Sequence, residues 1–196
     1  VKDFGAVGDG ITDDTLAFQK AVDALSGYQT LIAEGTFYFT DSIYLRKNNV
    51  VYDFKAAKFT GNATVVVADI DAPATQFQNI VILGGSYYPA GDSSPYPIAN
   101  FNPIAILCAK NVTVVNPKIY PVQSCRAISI QTSDYWGVAP YQNLQSIFIQ
   151  NAEIYGDGNA PDGIDITSDN ADNMIQDVFV TAYIEAVSYT HLTLPT

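Results

Sequence analysis

Two aspartates lie three residues apart in a glycine-containing segment near the carboxyl end of the sequence. The segment runs from Gly156 to Ile166 and contains Asp162 and Asp165. Paired carboxylates beside a variable loop on a rigid scaffold can position a water molecule for attack or recognise a ligand. An isolated Asp in a turn more often accepts hydrogen bonds from nearby backbone amides. From these residues alone, both interpretations of Asp162 stay open.

A repeat of about thirty residues determines which side chains meet these aspartates. Its unit is polar, apolar, variable, apolar, and it begins at Asn49, Asn79, Asn111, Ser146 and Asp177, with steps of 30, 32, 35 and 31 residues. Two more short apolar runs follow in the units, the last with two isoleucines two residues apart. Three short strands joined by bends are typical of one coil of a parallel β-helix. The hairpin turns of a β-sandwich are not seen.

The register of this repeat predicts a polar column. Asn102, Arg126 and Asp162 each stand two positions before the first isoleucine of a third strand. Successive coils stack about 4.8 Å apart, as neighbouring strands do in any sheet. Asp165 stands one position after that isoleucine, so its side chain should point away from the core. We therefore expect Arg126 to lie near Asp162 and to keep it ionised.

One segment has the period of an amphipathic helix. It runs from about Asp13 to Leu25, and its apolar stripe consists of Leu16, Phe18, Ala21, Val22 and Leu25. Thr12 and Asp13 can cap this helix, and the acidic pair Asp13 and Asp14 lies where the helix dipole favours negative charge. We interpret that pair as capping rather than catalytic. The helix is expected to cover the open first coil.

The composition excludes several partners. The 196 residues carry nine Lys and Arg against twenty Asp and Glu, which gives a net charge of -11. This charge repels phosphate backbones, so nucleic acid is not an expected partner. No apolar run approaches the roughly 20 residues of a membrane-spanning helix. Two cysteines, Cys108 and Cys125, are too few to show whether they are paired.

The opening of the chain resembles that of the pectate lyase superfamily. The matching residues are VKDFGAVGDGITDDTLAFQKA, from Val1 to Ala21. Members of this superfamily include polygalacturonases, epimerases and phage tailspike proteins. Together with the repeat, the resemblance implies an all-β fold over residues 1–186, a right-handed single-stranded parallel β-helix with an N-terminal capping α-helix. It leaves the reaction open, because this fold hosts hydrolases, lyases and pure binders.

A second stretch resembles polygalacturonases, the pectin-hydrolysing branch. APDGIDITS, from Ala160 to Ser168, is similar to their Asn-Thr-Asp-Gly-Ile-Asp motif, although Ala160 and Pro161 replace the Asn and Thr. The resemblance implies that Asp162 helps to position the attacking water and that Asp165 is a second catalytic-site carboxylate. It also implies a secreted or periplasmic, inverting glycoside hydrolase. Its partner would be a pectin-like or other plant or bacterial polysaccharide, and no metal or cofactor is expected.

Three further residues are expected to bind the polysaccharide. Arg126 and Asn102 share one polar column, and Trp136 lies in a loop between units, where its ring could stack on a sugar. Tyr120 and Tyr155 stand at strand positions and are expected to pack within the scaffold instead.

The sequence departs from the polygalacturonase pattern after Ala186. That pattern requires Gly-Asp-Asp one coil further on, then Gly-His-Gly and Arg-Ile-Lys, and none of these occurs. Residues 187–196 break the repeat and resemble a translated sequencing-adapter remnant from a metagenomic assembly. His191, the single histidine, is then not a catalytic base. Because the chain also begins at Val1 rather than Met, we expect a fragment of the enzyme with no activity of its own.

Two alternatives to the hydrolase stay open. The first is a phage tailspike or surface glycan-binding β-helix protein, in which the same carboxylates serve recognition. The second is a calcium-dependent polysaccharide lyase, which needs several carboxylate ligands and a base, a pattern that Asp162, Asp165 and Arg126 fit loosely. The negative net charge argues against a polyanionic substrate unless a local basic patch forms around Lys118 and Arg126.

Overall fold

The computed structural model describes most of the chain. The described residues are 1–68, 75–90, 102–122, 125–132, 143–158, 160, 162–168 and 174–185. The predictions for Trp136, for His191 and for the tail at residues 187–196 therefore lie outside the described residues.

Strands dominate the described residues. They are accompanied by a short 3-10 helix, Lys2–Phe4, and by one α-helix, α1, Thr15–Asp23. The strands are β1 (Asp9–Asp13), β2 (Thr30–Phe39), β3 (Ile43–Tyr44), β4 (Val50–Gly61), β5 (Val65–Val67), β6 (Phe77–Pro89), β7 (Ile104–Ile106), β8 (Ala109–Val115), β9 (Lys118–Ile119), β10 (Ile128–Gln131), β11 (Leu144–Tyr155), β12 (Ile164–Thr167) and β13 (Ile175–Glu185). The prediction of a mostly β protein with one helix is confirmed.

These strands belong to two parallel sheets that the chain visits in turn. The larger sheet has the order β1-β2-β4-β6-β8-β11-β13, with β9 pairing to β6 and β11, and the smaller has the order β3-β5-β7-β10-β12. All described pairs are parallel, so each strand lies beside its equivalent from the preceding unit. The predicted parallel stacking of units is confirmed.

The larger sheet joins two of the expected short strands of a unit into one long strand. β4, β6 and β11 each run through both apolar stretches, and their pairing shifts register between the two stretches. Such a shift bends a strand without ending it. Three separate strands per coil are therefore not confirmed, and the right-handed winding and the capping role of the helix stay predictions.

The polar residue that opens each repeat has a conformational role. Asn49, Asn79, Asn111, Ser146 and Asp177 all have positive φ, between 55° and 58°. Asn adopts this left-handed region more readily than most residues. The amide of Asn79 donates to Asn49 Oδ1 at 2.7 Å, and that of Asn111 donates to Asn79 Oδ1 at 3.1 Å. The repeat is therefore held in register by side chains as well as by strands.

The α-helix packs one aromatic ring into the first coils. The ring of Phe18 lies 5.1 to 5.8 Å from four other buried rings, measured between centroids: Phe37, Phe39, Phe54 and Phe59. The helix is two residues shorter at each end than the predicted segment from Asp13 to Leu25. Leu16 was wrongly placed in the buried stripe and is 75% exposed. At about 100° per residue it lies nearly opposite Phe18.

The acidic pair before the helix has structural partners. Asp14 accepts hydrogen bonds from the backbone amides of Val7 and Gly8, at 2.7 and 3.0 Å. Asp13 Oδ1 accepts hydrogen bonds from the amide and the hydroxyl of Thr15, the first helical residue. Both carboxylates therefore fix the chain around the start of the helix, where Asp14 holds the N-cap position and makes no side-chain cap hydrogen bond.

Candidate functional site

The third strands of successive coils stack in the smaller sheet. Ile128 of β10 pairs with Ile104 of β7 and with Ile164 of β12, and Ser129 pairs with Asp165. The three isoleucines are buried in the core. Because successive side chains of a strand point to opposite faces, Asp165 lies on the outer face of this sheet. The register expected from the sequence is the register of the structure.

Arg126 joins two carboxylates that come from the next coil. Its Nε donates to Asp162 Oδ2 at 3.1 Å and lies 3.4 Å from Asp165 Oδ2. Since both oxygens lie close to one nitrogen, they are at most about 6.5 Å apart. The arginine side chain is 36% exposed and the two carboxylates are 17% and 14% exposed, so solvent reaches all three. We call these three residues the Arg126 cluster.

Two uncharged side chains hold Asp165 in place. The amide of Gln131 donates to Asp165 Oδ2, and the hydroxyl of Thr167 donates to Asp165 Oδ1. Gln131 and Thr167 are register partners at the ends of β10 and β12. The sequence analysis missed both residues. Extending the outer-face alternation by two positions, from Ser129 and from Asp165, would have found them.

Two buried polar side chains beside the cluster are incompletely paired. Asn102 Oδ1 accepts a hydrogen bond from the backbone amide of Arg126 at 3.2 Å, so Asn102 lies against the cluster as the register predicts. Among the described residues, however, Asn102 Nδ2 and Ser129 Oγ have no hydrogen-bond partner, although Asn102 is only 1% exposed and Ser129 is fully buried. Leaving such a group unpaired costs about 1–3 kcal/mol. Unpaired buried groups of this kind need an explanation, and a binding role is one.

The cluster has unused hydrogen-bonding capacity at its charged groups as well. In the described part of the chain, the guanidinium of Arg126 bonds through Nε alone, and the carboxylate of Asp162 accepts through Oδ2 alone. The Nη1 and Nη2 donors of Arg126 and the Oδ1 acceptor of Asp162 are therefore left for a ligand or for water.

The Arg126 cluster itself carries more negative than positive groups. One Arg faces two Asp, and no Lys or Arg follows Arg126 in the sequence, whereas nine Asp and Glu do. Lys118, the other cation considered for a basic patch, lies 3.0 Å from Glu153. Its charge is therefore already matched by a neighbouring carboxylate.

The strand tyrosines stack on one another. The rings of Tyr88 and Tyr120 are 4.4 Å apart and nearly parallel, and those of Tyr120 and Tyr155 are 5.4 Å apart. Tyr120 thus has a neighbouring ring on each face, which leaves no face for a sugar. Tyr87 is fully buried. The role of Trp136 in substrate binding stays a prediction.

Two further reactive groups are the cysteine thiols. Cys108 and Cys125 are buried and form no disulfide, and burial raises the pKa of the Cys108 thiol to about 11. Over the described ranges, no three His, Cys, Asp or Glu side chains are grouped so that they could hold a metal ion. No helix in those ranges is long and apolar enough to cross a membrane.

These features define the protein as a parallel β-helix with a polar cluster on the outer face of one sheet. The family model described as "Rhamnogalacturonase A/epimerase, pectate lyase-like" matches residues 1–190. The chain belongs to this family, so the membership of the pectate lyase superfamily inferred from Val1 to Ala21 is confirmed.

One curated relative is a phage protein. The chain is 38% identical over 101 residues to the pre-neck appendage protein of Bacillus phage B103, and this match covers 49% of the chain and 10% of that protein. The chain thus spans about a tenth of the length of this relative.

Two solved structures share the fold. The surface protein and adhesin PfbA of Streptococcus pneumoniae matches with a TM-score of 0.58 and 16% identity, over 96% of this chain and 64% of that one. A Parabacteroides merdae ATCC 43184 protein, described as a candidate glycosyl hydrolase, also matches with a TM-score of 0.58 and 16% identity, over 97% of this chain and 98% of that one. At such identities the likeness concerns the fold alone.

Proposed function

We propose that the chain is part of an extracellular protein that acts on polysaccharides, and that the Arg126 cluster contacts the sugar. The observation that carries this proposal is the position of Arg126 Nε, 3.1 Å from Asp162 and 3.4 Å from Asp165. Charged groups that are fixed, partly exposed and incompletely paired are suited to bind hydroxyl-rich ligands. The phage appendage and the surface adhesin among the similar proteins support an extracellular setting.

For the parent protein we propose inverting glycoside hydrolysis by a site that resembles that of polygalacturonases, with the glycan itself left open. An inverting hydrolase needs a protonated carboxyl and an ionised one about 6.5–9.5 Å apart. The cluster oxygens of Asp162 and Asp165 are at most about 6.5 Å apart, and Asp165 is surrounded by three donors. This pair is therefore better suited to position water than to supply the acid proton. The general acid would then lie on a later coil of the parent protein.

The test uses the chain as it stands. Its binding to a polysaccharide panel is measured by affinity electrophoresis, and reducing ends are counted after long incubation. We expect binding without release of reducing ends, and we expect Asp162→Asn to weaken binding at least tenfold. Asp23→Asn, which alters the other Arg–Asp pair of the chain, is the matched control. Unchanged binding by Asp162→Asn would contradict the claim that Asp162 contacts the glycan. Release of reducing ends by this chain would contradict the claim that its general acid lies elsewhere.

The second candidate is a phage or surface protein that binds glycans without cleaving them. The similarity to the pre-neck appendage protein of a Bacillus phage favours it. Binding by the Arg126 cluster is common to both candidates. The two candidates differ in what the parent protein would do to the bound glycan. Only a hydrolase would release reducing ends, and Asp162→Asn would abolish that release.

A further inference from the structure

The unpaired atoms of the site include both donors and acceptors. Nη1 and Nη2 of Arg126 can only donate hydrogen bonds, and Asp162 Oδ1 in the ionised form can only accept them. Beside them lie the buried Asn102 Nδ2, which donates, and the buried Ser129 Oγ, which can do either. A ligand that pairs with the partly exposed Arg126 and Asp162 must itself both donate and accept hydrogen bonds.

The charge of the site limits the ligand further. The Arg126 cluster has one positive and two negative groups, and every charged residue after position 126 is acidic at neutral pH. The residues outside the described ranges contain no Lys or Arg, so they cannot supply a compensating cation. A polyanionic chain approaching this face would therefore be repelled.

We propose that the glycan bound here is built of neutral sugars with free hydroxyls, and not of uronic acids. This inference rests on the proposed function and specifies its substrate class. A pair of sugar hydroxyls can donate to Asp162 and accept from Arg126 at the same time. A uronate carboxylate can only accept, and it would bring a negative charge towards Asp162 and Asp165. Arg126 is then a specificity-determining residue whose own charge is already shared by two carboxylates.

The test compares sugars that differ only at C6. Tetramers of galactose, glucose and mannose are titrated against the chain by calorimetry beside tetramers of the matching uronic acids, at low and at high salt. We expect at least one neutral tetramer to bind ten times more tightly than its uronate. Added salt should strengthen the uronate binding, because it screens repulsion, and should leave the neutral binding unchanged.

Two variants connect the preference to the site. Arg126→Gln should weaken binding of the neutral tetramer at least tenfold. Arg46→Gln, which changes the only other arginine in the sequence, should leave the affinity within twofold of the wild type. Asp162→Asn should narrow the gap between neutral and uronate sugars. Circular dichroism and the unfolding temperature of each variant establish that it is folded.

The outcomes separate the inference from the function on which it rests. If a uronate tetramer binds more tightly than its neutral counterpart, and Arg126→Gln abolishes that binding, the preference for neutral sugars is wrong. The proposal that the Arg126 cluster binds glycans would still hold. Absence of binding to either class, by a folded chain, would overturn the proposed function itself and the inference with it.

Discussion

The two arginines of the chain form ion pairs of different design. Arg46 meets Asp23 of the α-helix through Nε and Nη2, each 2.8 Å from a different carboxylate oxygen. Gln19 donates a further hydrogen bond to Asp23 at 3.2 Å. Two parallel bonds thus join the Arg46 guanidinium to the Asp23 carboxylate, which is the geometry that fixes a carboxylate most firmly.

The Arg126 cluster lacks such a pair of parallel bonds. A single Nε lies near Asp162 and Asp165, and the other guanidinium nitrogens have no partner in the described ranges. The difference shows why charge alone does not identify a site. A bidentate pair stabilises the fold, whereas a cluster joined through one nitrogen beside unpaired buried groups keeps capacity for a ligand.

The first prediction concerns stability, in which the two regions should respond differently. Asp23→Asn removes the anion that pairs with Arg46 and should lower the free energy of unfolding by about 0.5–1 kcal/mol. The loss is small because both side chains are partly exposed. Asp162→Asn relieves an excess of negative charge and should leave stability unchanged or slightly higher. Urea unfolding of the two variants measures both values.

An equal loss of stability in the two variants would remove the distinction between a structural and a binding pair. The slope of the unfolding free energy against urea concentration should be the same in both variants. A constant slope shows that the two variants unfold from the same folded state.

The second, smaller prediction concerns pH. The hydrogen bond from Arg46 holds the pKa of Asp23 below its ordinary value, so the folded pKa lies below the unfolded one. The stability that this provides is present above the unfolded pKa, about 4 for Asp, and is lost as the pH falls through the folded pKa. Unfolding of the wild type and of Asp23→Asn is compared between pH 3 and 6.

We expect the difference between these two proteins to be largest near pH 6 and to shrink towards pH 3. A difference that is independent of pH would show that Asp23→Asn acts through packing, and not through the ionised pair with Arg46.

The repeat made part of the site predictable. Asn102, Arg126 and Asp162 are 24 and 36 residues apart in sequence, yet their distance from the isoleucine of each third strand placed them in one column. The supporting residues Gln131 and Thr167 were not found, because the outer-face alternation was followed only as far as Ser129 and Asp165.

Other features depended on details that periodicity does not contain. The first and second strands of a unit were expected to be separate, but in β4, β6 and β11 the backbone pairing continues through the bend. Asn79 marked the start of a repeat in the sequence. Its positive φ and its hydrogen bond to Asn49 are not contained in that pattern. Leu16 shows that an apolar residue at a helix start can point to solvent.

The most direct measurement uses the fact that the chain has only two arginines. In a sample labelled with ¹⁵N-arginine, the Nε–H region of the NMR spectrum should contain two side-chain signals, which Arg46→Lys assigns. Titration with the neutral tetramer that binds most tightly should shift the Arg126 signal and leave the Arg46 signal in place. If the tetramer binds while the Arg126 signal stays unchanged, the glycan is held elsewhere and the account of this cluster is wrong.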